Sequence, residues 1–541
     1  MAATKTLQQL GLTAANGGNP EITGLAVDSR EVKEGFLFAA MPGSTVHGGE
    51  FIQYALRMGA AAILTDKAGA QIAADVLSAS EVALITTDDP RGALSYTAAL
   101  WFGAQPETMC AVTGTNGKTS VSTFVRQIWN LLDIEAVNLG TTGVEGSIRL
   151  PLAHTTPEPI TLHRALAEIA REGVTHAAME ASSHGLNQRR LDGVQLAAAG
   201  FTNFTQDHLD YHKTFEAYFA AKMGLFTRVL QNDRVAVVNL DDEVGPEVAR
   251  IAQEHGHELI GVGRTTTSDL RLIGQRFDAT GQDLLFTWHD RPFQARLNLI
   301  GGFQAENVLL AAGLVIGCGE DPIRVFDTLG DLQTVHGRMQ LAATRANGAS
   351  VFVDYAHTPD AIETALQAMR PHVLGRLITV IGAGGDRDRS KRPLMGIAAA
   401  ENADMIFVTD DNPRSETPAE IRAAVLEGAP GAIEVPDRAE AILRAVDALA
   451  PGDALLIAGK GHETGQVVGD TIFPFDDCEQ ASVAVAALEG GLALVITPPS
   501  GLAPQPAPQL PAPCMGHGPR RGSRASPSTP APCNPAISSS P

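Results

Sequence analysis

The chain has 541 residues, 44% hydrophobic and 19% charged, with a formal net charge of −21; that length exceeds what one core fills and implies roughly three domains. So acidic a balance argues against nucleic-acid or acidic-membrane partners, both of which need a basic surface. No run approaches the roughly 18 strongly apolar residues that cross a bilayer, residues 1–18 lack the apolar core of a signal peptide, and the five cysteines (110, 318, 478, 514, 533) form no C-x-x-C pair and no zinc spacing. A soluble, cytoplasmic α/β enzyme is the expectation.

Residues 1–108 alternate short apolar runs with loops: VDSR (27–30), then GFLFAAMPGSTVHGGEFIQYALRMGAAAILTD (35–66) and EVALITTDDPR (81–91). The alternation predicts a small, partly parallel α/β unit. Its loop Pro42–Gly49 is polar and glycine-rich enough to close on a ligand.

The next stretch, MCAVTGTNGKTSVSTFVRQIWNLL (109–132), organises the rest. The run Met109–Val112 reads as a strand. Apolar Val121, Phe124, Val125, Ile128, Trp129 and Leu132 recur at helical spacing. Between them lies the turn Thr113-Gly114-Thr115-Asn116-Gly117-Lys118-Thr119. Strand, glycine turn and helix N-terminus hold nucleotide phosphates through backbone N–H groups and the helix dipole; Lys118 is suited to the terminal phosphates and Thr119 to Mg2+. Val112 stands where the longer phosphate loop carries its first glycine, so the turn is of a shorter kind.

Alternation continues through residues 109–338. VTHAAMEASSHGL (174–186) ends an apolar strand in Glu180, GFTNFTQDHLDYHKTFEAYFAAKMGLF (200–226) sets polar groups between strand and helix, and RVAVVNLDD (234–242) ends another strand in acids. Polar groups at the carboxyl ends of parallel strands are where such sheets bind ligands. A third α/β segment, 339–490, contains SVFVDYAHTPD, RLITVIGAGGDRDRSKR, ADMIFVTDDNPR and DALLIAGKGHE. Its turn Gly382-Ala383-Gly384-Gly385-Asp386-Arg387 is not a dinucleotide fingerprint, because Arg387 replaces the third glycine. From Pro498 to Pro541 lie 13 of the 32 prolines with no acidic residue, so 491–541 is expected to be a disordered tail.

Glu180 is the best candidate to join Thr119 at a magnesium ion, which takes oxygen ligands; alone, a carboxylate at a strand end is more often a cap or an ion pair. His208 and Lys222, read alone, pass as a turn residue and a surface lysine.

The ordered series TGTNGKTS, MEASSHGLNQRR, TNFTQDHLDYH with the following AAK, VDYAHTPD, GAGGDRDRSKRP, TDDNPR and GKGHE resembles the Mur ligase family, over roughly residues 20–488. The resemblance implies three α/β domains: an N-terminal UDP-binding domain (1–108), a central P-loop ATP-binding domain with a mostly parallel sheet (109–338), and a Rossmann-like amino-acid-binding domain (339–490). It implies ATP-dependent amide synthesis in peptidoglycan precursor assembly, by a monomer, through an acyl phosphate on the D-Glu carboxylate of UDP-MurNAc-L-Ala-D-Glu.

Carried over residue by residue, the family pattern gives ATP to Gly114, Thr115, Asn116, Gly117, Lys118, Thr119, Asn307, Arg338, Asp354 and His357. Thr119 and Glu180 would hold one Mg2+, and His208 with Lys222 a second; the matching lysine is carbamylated in the family, which turns a cation into a carboxylate-like ligand. Val27, Ser29, Ser44, Thr45 and Val46 match UDP-binding positions. Thr155, Thr156, Ser182, Gln188 and Arg190 match positions that hold the muramoyl dipeptide.

Asp411-Asn412-Pro413-Arg414 resembles the signature of the members that add meso-diaminopimelate. Diaminopimelate carries a far carboxylate that lysine lacks, and an arginine fork binds it with two parallel hydrogen bonds. Arg387, Gly459 and Glu463 match the remaining contacts, Glu463 suiting the substrate's far ammonium. A folylpolyglutamate-synthase-like ligase shares the phosphate turn, but VDSR and DNPR argue against it. An ATP-driven switch would need a Walker-B-type aspartate, and Glu180 stands there instead.

Overall fold

The computed structural model describes residues 4–43, 46–205 and 209–490. The expectations placed on Ser44, Thr45, His208 and the tail 491–541 lie outside the described residues. Strands β1 (Lys5–Thr6) and β2 (Glu21–Ile22) form a small antiparallel ribbon. Then follows a sheet of β3 (Gly24–Ala26), β4 (Phe36–Ala40), β5 (Ala62–Thr65) and β6 (Ala83–Thr86), in that order and parallel throughout. These strands are near-continuous apolar runs because a parallel sheet is covered on both faces. Within VDSR, Asp28 accepts from Arg30 N at 2.9 Å and caps a single 3-10 turn, Ser29–Glu31.

The central sheet has ten strands: β7 (Thr108–Thr113), β8 (Ala136–Gly140), β9 (Gly143–Gly146), β10 (His176–Glu180), β11 (Ala198–Phe201), β12 (Val235–Asn239), β13 (Glu258–Gly263), β14 (Leu270–Asp278), β15 (Gly281–Trp288) and β16 (Arg291–Leu297). Their order is β16-β15-β14-β13-β12-β11-β7-β10-β8-β9. The chain leaves β7 toward one side of the sheet and later returns to its other side, so the turn after β7 opens at a topological switch point. The phosphate-turn helix (Lys118–Leu131) buries Val121, Phe124, Val125, Ile128 and Trp129 as their spacing predicts. A second helix, Phe303–Gly317, packs beside it and comes close to the sheet: a Cβ on Gly313 would stand 2.8 Å from Val237.

The parallel core, whose last strand on one side is β14 (parallel to β13), is extended at both edges by antiparallel strands, β9 on one side and β15 with β16 on the other. The β15–β16 connection places His289 and Asp290 both at positive φ (43° and 64°), the twist a two-residue hairpin needs. One face of β14–β16 buries Leu270, Leu272, Leu284, Phe286 and Leu297; the other is largely exposed.

The third sheet, β17 (Gln340–Thr344), β18 (Ser350–Asp354), β19 (Leu377–Ile381), β20 (Met405–Val408), β21 (Ile433–Glu434) and β22 (Ala454–Ala458), runs β17-β18-β22-β19-β20-β21. Only the β17–β18 edge is antiparallel. A hairpin, β23 (Gly465–Val468) with β24 (Thr471–Pro474), follows. Among the described residues no helix is long and apolar enough to cross a membrane.

Candidate active site

The turn after β7 is shaped by two glycines. Gly114 lies at φ 143°, where a Cβ would meet Thr202 Oγ1 at 1.9 Å; Gly117 lies at φ 85° against Asn307 Oδ1. Neighbouring strand ends fix the turn: Asn116 N donates to Asn203 Oδ1 at 2.8 Å and Thr202 Oγ1 donates to Asn116 O at 2.6 Å. Lys118 Nζ donates to the carbonyls of Gly114 (3.0 Å) and Thr115 (2.8 Å), so its ammonium curls over the mouth of the turn.

Behind the turn, Thr119 and Glu180 are both buried, and Thr119 Oγ1 donates to Glu180 Oε1 at 3.0 Å. That oxygen also accepts from Thr141 N at 2.8 Å. Gly140 makes the room: a Cβ there would stand 2.0 Å from Glu180 Oε1. Thr155 Oγ1 pairs with Thr141 Oγ1 at 3.0 Å, and buried Thr156 donates its hydroxyl to Glu180 O while accepting from Ser182 N. A hydroxyl and a carboxylate presented side by side form a hard oxygen donor set that fits Mg2+. Lys222, almost wholly buried, donates to Gly114 O at 2.6 Å with its ammonium 4.5 Å from the Tyr218 ring centroid. An ammonium is a donor only, so Lys222 in that form cannot ligate a cation, whereas a carbamate on its nitrogen would offer oxygens.

The opposite wall belongs to the third sheet. Arg338 Nη2 donates to Thr119 Oγ1 at 3.4 Å, and its guanidinium lies 4.5 Å from the Tyr355 ring centroid. Asp354 accepts from Met339 N (2.7 Å) and Ala356 N (2.8 Å); burial pushes its carboxyl up, against the pull of Arg338 and these two bonds. With Asn307 and His357 these groups enclose a cleft of about 490 Å3 that Thr115–Thr119, Glu180, Ser182, Thr155 and Lys222 also line.

The other expected contacts fall into three groups. Gln188 and Arg190 form a polar strip beside Thr156: Arg190 Nη2 donates to Gln188 Oε1 at 2.8 Å and Arg190 Nη1 to Thr156 O at 2.5 Å. Val27, Ser29 and Val46 do not line the cleft; they sit on loops of the first sheet, Val27 and Val46 exposed. Arg387, Asp411–Arg414, Gly459 and Glu463 also lie off the cleft, gathered at the carboxyl ends of three adjacent strands, β19, β20 and β22.

That last group is tightly built. Asn412 Nδ2 donates to Glu463 Oε2 at 2.8 Å, and Arg414 Nη1 donates to Gly385 O at 2.8 Å from a left-handed backbone (φ 52°). Gly459 is at φ 122°, where a Cβ would crowd Asp411 Oδ2 at 2.6 Å. Arg387 is exposed, its Nη1 donating to Asp386 O at 3.2 Å.

Sequence reasoning missed several supports. Lys460, wholly buried, donates to Asn412 Oδ1 at 2.9 Å; the G-K-G turn after an apolar strand was its available signal. Arg438 is buried in a two-bond pair with Asp477 (2.8 and 2.7 Å), a partnership across 39 residues that no local pattern betrays. Tyr355, Thr141, Thr202 and Asn203 went unremarked for the same reason.

A glycine phosphate turn at the switch point of one sheet, faced by a second parallel sheet that sends an arginine to it, defines a multidomain α/β nucleotide-dependent enzyme. Comparison with known proteins makes this specific. The Mur ligase family catalytic domain matches residues 21–101, the Mur ligase middle domain 112–315, and the Mur ligase glutamate ligase domain 337–461. The UDP-N-acetylmuramoyl-L-alanyl-D-glutamate–2,6-diaminopimelate ligase of Bradyrhizobium diazoefficiens is 48% identical over 470 residues, 86% of this chain and 95% of its own. The same-named ligase of Caulobacter vibrioides is 48% identical over 479 residues, 87% and 96% of the two chains. A solved structure of a ligase of that name, 32% identical, superposes with a TM-score of 0.66 and covers 90% of this chain and all of its own. The chain belongs to the Mur ligase family.

Proposed function

We propose that the chain is an ATP-dependent ligase that joins meso-2,6-diaminopimelate to the D-glutamate carboxylate of UDP-N-acetylmuramoyl-L-alanyl-D-glutamate in peptidoglycan precursor synthesis. Relatives that carry this activity in their names are 48% identical over most of the chain. The observation that supports it best is the reach of Arg338 across the cleft to Thr119, because it joins the sheet bearing the D-D-N-P-R segment to the phosphate turn.

A carboxylate is a poor acyl donor because its leaving group would be oxide. Transfer of the γ-phosphoryl group of ATP to a carboxylate oxygen, with release of ADP, makes an acyl phosphate. The amine of diaminopimelate then attacks the carbonyl carbon, the C–O bond to phosphate breaks, and the nitrogen gives up a proton. The protein's share is alignment and charge balance. The backbone of 114–119 and Lys118 hold the phosphates, Arg338 stands at the side of the cleft where negative charge grows, and Asn307, Asp354 and His357 border the nucleoside. Thr119 and Glu180, and His208 with carbamylated Lys222, would hold Mg2+, which when bound neutralises the phosphate oxygens.

The amino-acid subsite would use Arg414 for the far carboxylate of diaminopimelate, Glu463 for its far ammonium, and Arg387, Asp411, Asn412, Pro413 and Gly459 to shape the pocket. Thr155, Thr156, Ser182, Gln188 and Arg190 would hold the muramoyl dipeptide, with the uridine end on Val27, Ser29, Ser44, Thr45 and Val46. This assigns UDP to residues 1–108, ATP to 109–338 and the amino acid to 339–490, in a monomer working in the cytoplasm. Mass spectrometry of a mixture of enzyme, ATP, Mg2+, the UDP-muramoyl dipeptide and diaminopimelate tests it. A UDP-muramoyl tripeptide that forms only when all are present supports the reading, and its absence refutes it.

A further inference from the structure

A second cleft, of about 630 Å3, lies against the nucleotide cleft and belongs to none of the groups assigned above. It begins one turn further along the phosphate-turn helix: Thr119 faces Glu180, and Thr123, four residues on, lines the second cleft. Thr142, next to the Thr141 that bonds Glu180, lines it too, as does His336, two residues before Arg338.

Its lining carries polar atoms that find no partner among the described residues. Thr123 Oγ1, Thr142 Oγ1 and Arg126 Nε are buried and make no hydrogen bond among the described residues, and Thr123 is only 3% exposed. Arg126 and Arg149 both line the cleft, and neither makes a hydrogen bond or ion pair among the described residues, although Glu145 lies close enough to favour the charge on Arg126. Burial and the neighbouring Arg149 both push the Arg126 guanidinium down. Two guanidinium groups against one carboxylate make a cationic hollow in a chain whose net charge is −21. Hydroxyl and guanidinium donors left unpaired in a hollow cost free energy that a bound acceptor recovers.

We propose that this cleft is a second anion site, taking a small oxyanion on Arg126, Arg149 and the hydroxyls of Thr123 and Thr142. Guanidinium forks and hydroxyl donors suit phosphate and carboxylate oxygens. Inorganic phosphate, which an acyl-phosphate ligase would release next door, has that chemistry, and so has the carboxylate of an organic acid. The site itself does not depend on the ligase reading.

Calorimetric titration with inorganic phosphate and, in parallel, acetate tests this on the full-length protein saturated with the β,γ-imido analogue of ATP, which fills the neighbouring phosphate positions. Saturable binding of one equivalent is expected, weakened at least about tenfold in Arg126→Gln and in Thr123→Val, with the analogue bound as in the wild type. The anion that binds more tightly identifies the ligand class. No saturable binding of either anion, or binding that both variants leave unchanged, overturns the proposal. The analogue's own isotherm reports separately on the nucleotide cleft.

Discussion

Gly140 tests whether Glu180 acts through its exact placement. Its φ is not in the left-handed region, so alanine there carries no backbone penalty, yet its methyl would stand 2.0 Å from Glu180 Oε1 and 2.6 Å from Cδ. Restoring ordinary contact near 3.4 Å displaces the carboxylate by roughly 1.4 Å. Two hydrogen bonds to Oε1 are then lost, from Thr119 Oγ1 and Thr141 N. Each bond to a charged group contributes about 1.5–3 kcal/mol. If only the lower sum, about 3 kcal/mol, appears in the transition state, kcat/KM falls roughly 100-fold. The assay is phosphate release by Gly140→Ala, with thermal unfolding and nucleotide affinity measured alongside. Gly274→Ala is the control, since its Cβ meets nothing within 4 Å. A folded Gly140→Ala enzyme within about threefold of wild type would refute the role given to Glu180.

Other substitutions probe separate parts. Arg414→Lys is expected to raise KM for diaminopimelate more than about tenfold, by losing the two-pronged contact, while KM for ATP stays put; parallel shifts in both would remove Arg414 from specificity. Lys222→Ala is expected to abolish ligation with the fold intact, and bicarbonate should not restore it; near-normal turnover would dismiss Lys222 as a metal ligand. His163 is 1% exposed and burial holds its pKa down at about 4 against 6.5 in the unfolded chain. The unfolded state therefore binds the extra proton between these values, and stability declines as pH falls through 6.5 toward 4. At pH 5 the loss is about 2 kcal/mol, read as an unfolding shift that His163→Gln should not show; equal pH slopes would contradict this. A chain ending at Gly490 should retain full activity, and a large loss would show that the tail is needed.

How much of this was legible in sequence varies with distance along the chain. Thr113–Thr119 could be read because strand, turn and helix are contiguous, and each has its own pattern. Glu180 was visible as a carboxylate ending a strand, but not the glycine that makes room for it, because Gly140 and Glu180 meet only when β8 pairs with β10. The β14–β16 meander is not legible because its half-exposed strands dilute the alternation; His289-Asp290, at positive φ, is its one local turn signal. Arg438 with Asp477, and Lys460 with Asn412, join segments far apart and leave no periodic trace. The second cleft was invisible for the same reason: Arg126 reads as one more polar residue of a helix, and Arg149 as one of a loop.

The reaction and its amino acid can be tested together. Phosphate release with ATP, Mg2+ and UDP-N-acetylmuramoyl-L-alanyl-D-glutamate, supplied with meso-diaminopimelate or L-lysine in parallel, tests both. Release with diaminopimelate and not with lysine is the predicted result. Release with lysine alone would keep the ligase and overturn the role of Arg414, and release with neither would contradict the account.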